Sequence, residues 1–399
     1  MATAAKSRVR GRVGLSTLAR VLAPILLLIG VIALFVFTKG AGLNVTPAAP
    51  IETVQFGRTI LRPGQIELQV RNTSPSSITI GQITINEGMW PYTISPDRTI
   101  PRLGSAVMTI AYPWVHGEAY EITLHSGNSI PFTTSIPVAA TTVGVSAGTL
   151  WSFSLIGIYV GIVPVVLGMF WLPVLARLGP RGMTFLMSAT VGLLLYLGID
   201  ATTEALELGG ELAGPFQGTG IVGIGLVGTI LLLGAVTRSQ RASGRGEIGQ
   251  RLSLAAMIAV GIGLHNFGEG LAIGAAYAVG AAALGTFLVV GFIIQNITEG
   301  LGIIVPIARD RPALRTLALL ALVGGGPAIV GAWVGGLVYS QPLSVLFLAI
   351  GAGAVFQVAY QIGREMIWKG AAERQRPWAA FAGVLTGMLM LYLTGVVIK

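Results

Sequence analysis

Two short stretches of the chain carry residue types that can bind a metal ion inside a membrane. The first reads LHNFGEG and places His265 and Glu269 four positions apart. The second reads IQNITEG and repeats that spacing with Gln295 and Glu299. Residues four apart share one face of an α-helix, so each stretch presents a polar pair in register with the other.

A divalent cation would explain why both stretches keep a carboxylate. Glu269 and Glu299 lie in apolar surroundings, where desolvation and mutual repulsion each penalise a negative charge. A doubly charged ion neutralises both carboxylates, and His265 and Gln295 complete its ligand shell. One imidazole, two carboxylates and one amide suit zinc, iron(II), manganese(II) or cobalt(II).

Asn266 and Asn296 follow the first polar residue of each stretch, and we take them as auxiliary ligands. A different interpretation makes all these side chains interhelical hydrogen-bonding groups, with the glutamates protonated. Gly268, Gly270 and Gly300 are expected to let neighbouring backbones approach closely and helices bend locally.

The composition requires a membrane protein around these stretches. Of the 399 residues, 53% are hydrophobic and only 10% are charged, and the mean hydropathy is +0.78. A soluble domain of this length would need more surface charge. Cysteine is absent, which excludes disulfides and thiolate metal ligands. Eight apolar segments of membrane-crossing length are predicted in the second part of the chain: 151–175, 182–200, 219–237, 252–277, 282–307, 313–338, 342–363 and 378–398.

The segments before residue 149 have a different character. Residues 1–20 form a basic tail with five cations and no acid, and residues 21–38 form an apolar segment. That segment is expected to be an uncleaved transmembrane anchor, with a cleaved signal peptide as the alternative. Residues 51–138 contain short alternating runs punctuated by Gly, Pro, Ser and Thr, which predicts a β-sandwich of six or seven strands.

Basic residues predict how the chain crosses the membrane. The N-terminal tail and alternate loops hold 18 of the 25 Lys and Arg residues. The positive-inside rule therefore predicts a cytosolic N-terminus, with the β-domain and C-terminus outside. Counted at about 1.5 Å per residue from Arg251 and Arg309, His265 and Glu299 lie roughly 15–21 Å from the cytosolic side, near the midplane.

An acidic stretch, DATTEALELGGELAG, is predicted to be a loop on the outside. Asp200, Glu204 and Glu207 in it are candidates for concentrating cations before uptake. The alternative is that these acids only solvate the end of a helix.

The paired motifs resemble the metal-binding motifs of the ZIP (Zrt/Irt-like protein) family of metal transporters. Members often read HNxPEG in the fourth span and a related motif in the fifth, and Gln295 is most similar to the GufA-like branch. The resemblance covers about residues 149–399. It implies an eight-helix 3+2+3 bundle with alternating access, and uptake of a divalent metal, zinc foremost, into the cytosol. His265, Glu269, Gln295 and Glu299 match the principal metal site.

This chain departs from the ZIP pattern in ways that bear on the site. Gly268 and Thr298 stand where the family has a proline before each glutamate, and Gly326 stands where binuclear members have a further glutamate. We therefore expect one transport site. Gln357 and Gln361 on the seventh span occupy positions where acids are frequent, and they are weaker candidates for the metal pathway.

Three functional hypotheses remain. The first hypothesis is a metal carrier, which is not an enzyme and holds no prosthetic group. Its partners would be divalent cations and the lipid bilayer. We expect no nucleic-acid partner, the glycine-rich GAWVGG face permits a homodimer, and the β-domain partner is open. We expect the protein to lie in the plasma (inner) membrane of a prokaryote.

The alternative to a metal carrier is a proton-linked carrier or metal sensor that uses the same glutamates. An intramembrane metalloprotease is disfavoured because the chain has no HExxH motif.

Overall fold

Long apolar helices make up most of the computed structural model, which describes residues 15–38, 51–142, 144–242, 246–278, 282–338, 340–372 and 377–398. Twelve α-helices lie in these ranges: α1 Leu15–Phe37, α2 Ala147–Gly157, α3 Val163–Met169, α4 Leu172–Leu175, α5 Pro180–Gly210, α6 Gly218–Ala242, α7 Glu247–Ala278, α8 Ala282–Ile304, α9 Leu314–Gly325, α10 Pro327–Leu337, α11 Gln341–Ala372 and α12 Pro377–Ile398. A π-helical turn, Ile158–Ile162, joins α2 to α3, and 3₁₀ turns cover Gly214–Phe216 and Val305–Ile307.

Eight helical segments of the described chain are long and apolar enough to cross a membrane, in agreement with the sequence. They are Ala147–Leu175, Pro180–Gly210, Gly214–Ser239, Glu247–Ala278, Leu288–Ile307, Leu314–Leu337, Gln341–Met366 and Trp378–Val396. The chain is thus a polytopic helical protein of the membrane type. One boundary was wrong: the expected outside loop after residue 200 is helical, because α5 runs on to Gly210 through residues such as Ala, Leu and Glu that favour helix.

Helix α1 belongs to a separate unit, Met1–Ile51, and covers the expected anchor. Its apolar part, Leu22–Phe35, is shorter than the eight other segments. The predicted basic tail falls mostly outside the described residues, which begin at 15.

The β-region consists of two antiparallel sheets built from nine strands. They are β1 Val54–Arg62, β2 Gln65–Asn72, β3 Ile78–Ile85, β4 Gly88–Met89, β5 Tyr92–Ser95, β6 Thr99–Ile100, β7 Ser105–Ile110, β8 Tyr120–Ser126 and β9 Pro131–Ile136. The first sheet has the order β1-β2-β7-β5; the second has the order β4-β3-β8-β9, with β6 also paired to β3. The sequence predicted fewer strands because β4 and β6 are only two residues long and carry no periodic signal.

Alternation of apolar residues buries one face of each sheet. Ile66, Leu68 and Val70 on β2 lie in the same apolar core as Ile122 and Leu124 on β8. Period-2 patterning places these residues on the inner faces, and polar residues between them point outward. The two sheets therefore form a sandwich, as expected.

Helix α7 forms the centre of the helical domain. It packs against α8, α9, α10 and α11, while α5 packs against α11 and α12. Helices α6 and α12 keep most of their apolar surface exposed, which is typical of lipid-facing helices.

Polar contacts mark the two ends of the helical domain. At one end, called the basic end here, Arg251 makes a two-pronged ion pair with Asp310, with both N–O distances 2.8 Å. Arg309 donates to the carbonyl of Leu178, which precedes α5, at 2.7 Å. At the end where α5 finishes, Gln341 donates to Glu211 at 3.1 Å. The β-sandwich lies against this second end, called the β-sheet end.

Candidate metal centre

His265 and Glu269 face each other across one turn of α7. His265 Nε2 lies 3.3 Å from Glu269 Oε1, and both side chains are buried. Helix α7 is continuous from Glu247 to Ala278, so Gly268 causes no break between them. The i, i+4 spacing thus brings an imidazole and a carboxylate together, as the sequence predicts.

Gln295 of α8 extends this pair across the helix interface. Its amide nitrogen lies 2.7 Å from Glu269 Oε1 and 3.3 Å from His265 Nε2. Rotation of the terminal amide of Gln295 by half a turn exchanges its nitrogen and its oxygen. The same rotation would turn the Gln295 oxygen toward the imidazole and carboxylate, where it can serve as a ligand.

Glu299 lies one turn after Gln295 and completes the group. The residue is 1% exposed, and neither of its oxygens makes a hydrogen bond of normal length within the described chain, although the amides of Gln295 and Asn266 lie nearby. Single ligand atoms from His265, Glu269 and Glu299 all lie within 4.8 Å of one another. The structure therefore brings together all four residues that the sequence selected.

Asn296 holds Glu269 in place from the other helix. Its amide nitrogen donates to Glu269 Oε2 at 2.9 Å and to the carbonyl of Val160 at 3.0 Å. Val160 lies in the π-helical turn, and the residue four positions on, Pro164, has no N–H to offer its carbonyl. The proline thus leaves an acceptor that Asn296 satisfies.

Asn266 makes a related contact with a second irregular helix. Its amide nitrogen donates to the carbonyl of Gly324 at 2.9 Å. Gly324 lies next to a break in the sixth span, where α9 ends at Gly325 and α10 begins at Pro327. Each asparagine therefore connects a site-bearing helix to a span that a proline interrupts, and each keeps a buried Oδ1 atom without a partner in the described chain.

Several glycines allow the backbones around the centre to touch. A Cβ atom on Gly270 would overlap the carbonyl of Ala328, and one on Gly300 would overlap that of Val165. This confirms the expected close approach at both positions. At Gly268 the nearest atom to such a Cβ is the side chain of Leu348 at 3.4 Å, an ordinary contact.

The first and sixth spans also meet through glycine. A Cβ on Gly161 would overlap the carbonyl of Gly325, so the π-helical turn and the broken helix touch without side chains between them. Gly326, where the sequence lacks the further glutamate, lies at this break and offers no side-chain ligand.

The donor set fits a transition-metal cation. Glu299 offers two unpartnered oxygens and the two asparagines one each, all buried. Buried acceptors without donors are costly, and a cation relieves that cost because every lone pair can face positive charge. Nitrogen and oxygen ligands without thiolate suit zinc, iron, manganese and cobalt.

The three candidate acids on α5 are not part of the converging group of His265, Glu269 and Glu299. Asp200, Glu204 and Glu207 are exposed. Glu204 nevertheless interacts electrostatically with His265 and Glu269. An exposed carboxylate within range of the buried pair is well placed to attract a cation toward it.

The two glutamines on α11 are buried, and Gln361 has a structural partner. It donates to Thr237 Oγ1 of α6 at 2.7 Å. Gln357 lies beside Gly234, which also belongs to α6. The Gln361 contact favours interhelical hydrogen bonding over a place in the metal pathway.

Sequence reasoning missed the two backbone carbonyls that the asparagines contact. Val160 and Gly324 are apolar residues with no side-chain chemistry. For Val160 the available signal was Pro164, because a proline inside an apolar span frees the carbonyl four residues before it. Gly324 carries no such signal, since the residue four positions after it is Ala328. No family model matches this chain.

Proposed function

We propose that this protein moves a divalent transition-metal cation across a membrane through one site formed by His265, Glu269, Gln295 and Glu299. One observation carries the proposal. An imidazole and two carboxylates, buried between two apolar helices, converge within 4.8 Å while neither oxygen of Glu299 makes a hydrogen bond of normal length in the described chain. Two carboxylates in such a place repel each other, and a divalent cation removes the repulsion.

The metal in this proposal is cargo, so the protein acts as a carrier and not as an enzyme. Zinc is the first choice of substrate, with iron(II), manganese and cobalt as further choices. The paired motifs and the eight apolar spans support a ZIP-type transporter of the GufA-like branch, with a 3+2+3 helix arrangement and alternating access. The lack of an acid at Gly326 supports one site over a binuclear centre.

The distribution of charge supports inward transport in a prokaryotic inner membrane. Arg251, Arg309 and their partners gather at the basic end, which we assign to the cytosol. The β-sandwich and Glu211 lie at the β-sheet end, which we assign to the outside. Cations would then pass Glu204 on their way to Glu269.

Metal uptake into proteoliposomes tests this function. Wild-type protein is expected to accumulate at least one of Zn²⁺, Fe²⁺, Mn²⁺ and Co²⁺ in a saturable manner. Glu269→Gln keeps the side-chain shape but removes a charge, so uptake is expected to fall to the level of empty vesicles. Glu121→Gln removes an exposed acid of the β-domain and is expected to transport normally.

The same variants separate the metal carrier from a proton-linked carrier or sensor. The 3.3 Å contact between His265 and Glu269 is also compatible with proton exchange. A metal carrier is stabilised against heat by its cargo, because binding to the folded state alone raises stability. Absence of both metal uptake and metal-dependent stabilisation in wild-type protein would overturn the proposal in favour of proton chemistry.

A further inference from the structure

A cavity of about 480 Å³ lies at the β-sheet end, between the first sheet of the sandwich and the helical domain. Its volume falls within the usual range for small-molecule sites. Its walls come from β1, β2, β5 and β7 of the sandwich and from Phe216 and residues 340–342 of the helical domain. Both parts of the protein therefore contribute walls.

The outward face of the sheet shapes one wall of this cavity. Arg71 on β2 pairs with Ser105 on β7, and Ser95 on β5 pairs with Val107. The serines are small and leave room beside the longer arginine. The β1–β2 register shifts between Phe56 and Thr59, around Gly57, and bulges of this kind often shape binding sites.

Arg71 is the cationic side chain of the described lining. Its guanidinium lies over the ring of Phe216, 5.1 Å from the ring centre, and its Nε donates to the carbonyl of Leu103 at 3.2 Å. These contacts fix the plane of the group. Its two terminal nitrogens make no hydrogen bond within the described chain, and a guanidinium fork of this kind matches the two oxygens of a carboxylate or phosphate.

The remaining lining is uncharged, so Arg71 alone gives the described part of the cavity its positive charge. No Asp or Glu occurs among the described lining residues. Three glutamine amides and three serine hydroxyls can bond to polar groups of a ligand, and Phe56 and Phe216 offer apolar contact. We propose that this cavity binds a small organic molecule whose carboxylate or phosphate pairs with Arg71.

A ligand in this cavity would contact both the sandwich and the ends of the transmembrane helices. Gln341, one of its walls, already contacts Gln55 of β1 at 3.4 Å and Glu211 after α5 at 3.1 Å. Arg58 of β1 donates to the carbonyl of Leu337 at 3.4 Å. The proposal does not rest on metal transport, because none of the cavity residues belongs to the metal centre.

Calorimetric titration of the full-length protein in detergent tests the site. The probes are citrate and glycerol 3-phosphate, with glucose as a neutral comparator of similar size. Saturable binding of at least one anion, and none of glucose, is expected. Arg71→Gln is expected to weaken that binding about 10- to 100-fold, because a charge-assisted hydrogen bond is lost. Arg102→Gln removes an exposed arginine of the same domain outside the cavity and is expected to change binding less than twofold.

A cavity-filling variant keeps the test decisive if Arg71→Gln disturbs folding. Ser105→Trp introduces bulk from the exposed sheet face and is expected to abolish binding. Thr93→Trp places the same bulk on the same face outside the lining and serves as its control. Equal weakening by both arginine variants, or binding of glucose as strong as that of the anions, would overturn the proposal, as would no binding of either anion.

Lipid provides a second source of the same chemistry. The titration is repeated in nanodiscs of phosphatidylcholine and of phosphatidylglycerol. Loss of citrate binding only in phosphatidylglycerol would identify an anionic headgroup as the occupant, whereas unchanged binding would identify a free solute. Glu269→Gln is expected to bind either anion normally, so failure here is distinguishable from failure of metal transport.

Discussion

Asn296 and Glu269 lie on neighbouring helices and share a hydrogen bond of 2.9 Å, while the same Asn296 amide reaches the carbonyl of Val160 at 3.0 Å. One side chain thus connects a carboxylate of the candidate metal centre to the π-helical turn of the first span. A movement of that turn would change the position of the Glu269 carboxylate, because the Asn296 amide nitrogen donates to both groups.

Replacing Asn296 is expected to weaken metal binding. Asn296→Ala removes the donor that Glu269 Oε2 and the Val160 carbonyl share, and leaves Gln295 as the remaining donor to Glu269. Loss of a group that orients a metal ligand typically lowers metal affinity about 10- to 100-fold. Metal titration of purified protein measures this effect. Thr229→Ala is the comparison, since the buried Thr229 bonds within α6 and lies outside the ligand group; equal losses in both variants would contradict a specific role for Asn296.

Pro164 is expected to maintain the carbonyl that Asn296 uses. In Pro164→Ala the new N–H can bond to Val160 in the ordinary α-helical manner, which removes the acceptor from Asn296. Metal affinity is expected to fall, while the free energy of unfolding stays within about 1 kcal/mol. Pro173→Ala in α4 is the control, because a first-turn helical position has no N–H partner to restore. Unchanged affinity in Pro164→Ala would show that the turn does not depend on the proline.

The contact between Gly161 and Gly325 is expected to tolerate no side chain. Gly161→Ala places a methyl group against the Gly325 carbonyl and forces the first and sixth spans apart. Overpacking of this kind costs about 1–3 kcal/mol. Thermal unfolding in detergent measures the loss. Gly223→Ala in α6 has open space around the new Cβ and is expected to be neutral or stabilising; a similar loss there would point to a general effect of glycine replacement.

The ion pair at the basic end is expected to contribute more to stability than its exposed neighbour. Arg251 and Asp310 form two bonds of 2.8 Å and are largely shielded from water, whereas Glu247 is 90% exposed and 3.5 Å from the same arginine. Asp310→Asn is expected to lower the free energy of unfolding by about 1–3 kcal/mol. Glu247→Gln is expected to change it by less than about 0.5 kcal/mol. Chemical denaturation compares the two, and the reverse order would refute the assignment.

Glu204 is expected to assist cation access without being a ligand. Its carboxylate lies within electrostatic range of His265 and Glu269, and we expect its attraction for cations to be screened by salt. Glu204→Gln is expected to raise the KM of uptake several-fold at low ionic strength, with kcat nearly unchanged. Glu121→Gln, which removes an exposed acid of the β-domain, is the control. A large loss of kcat in Glu204→Gln would indicate direct coordination instead.

Local patterns in the sequence determined the elements and the polar side chains of the centre. Helix periodicity paired His265 with Glu269 and Gln295 with Glu299, because four residues make about one turn. Hydropathy found the eight membrane-length segments because apolar residues must run continuously through a lipid core. Alternation likewise marked the longer strands of the sandwich.

Only the tertiary structure decided which backbone groups and surfaces meet. Asn296 and Asn266 donate to the backbone carbonyls of Val160 and Gly324, which are distant in the chain. The residue types Val and Gly do not indicate such a contact. The availability of the Val160 carbonyl depends on Pro164 in the first span. The cavity around Arg71 likewise exists because the sandwich packs against the helix ends. Long-range contacts of this kind follow from how whole elements pack, which no local pattern encodes.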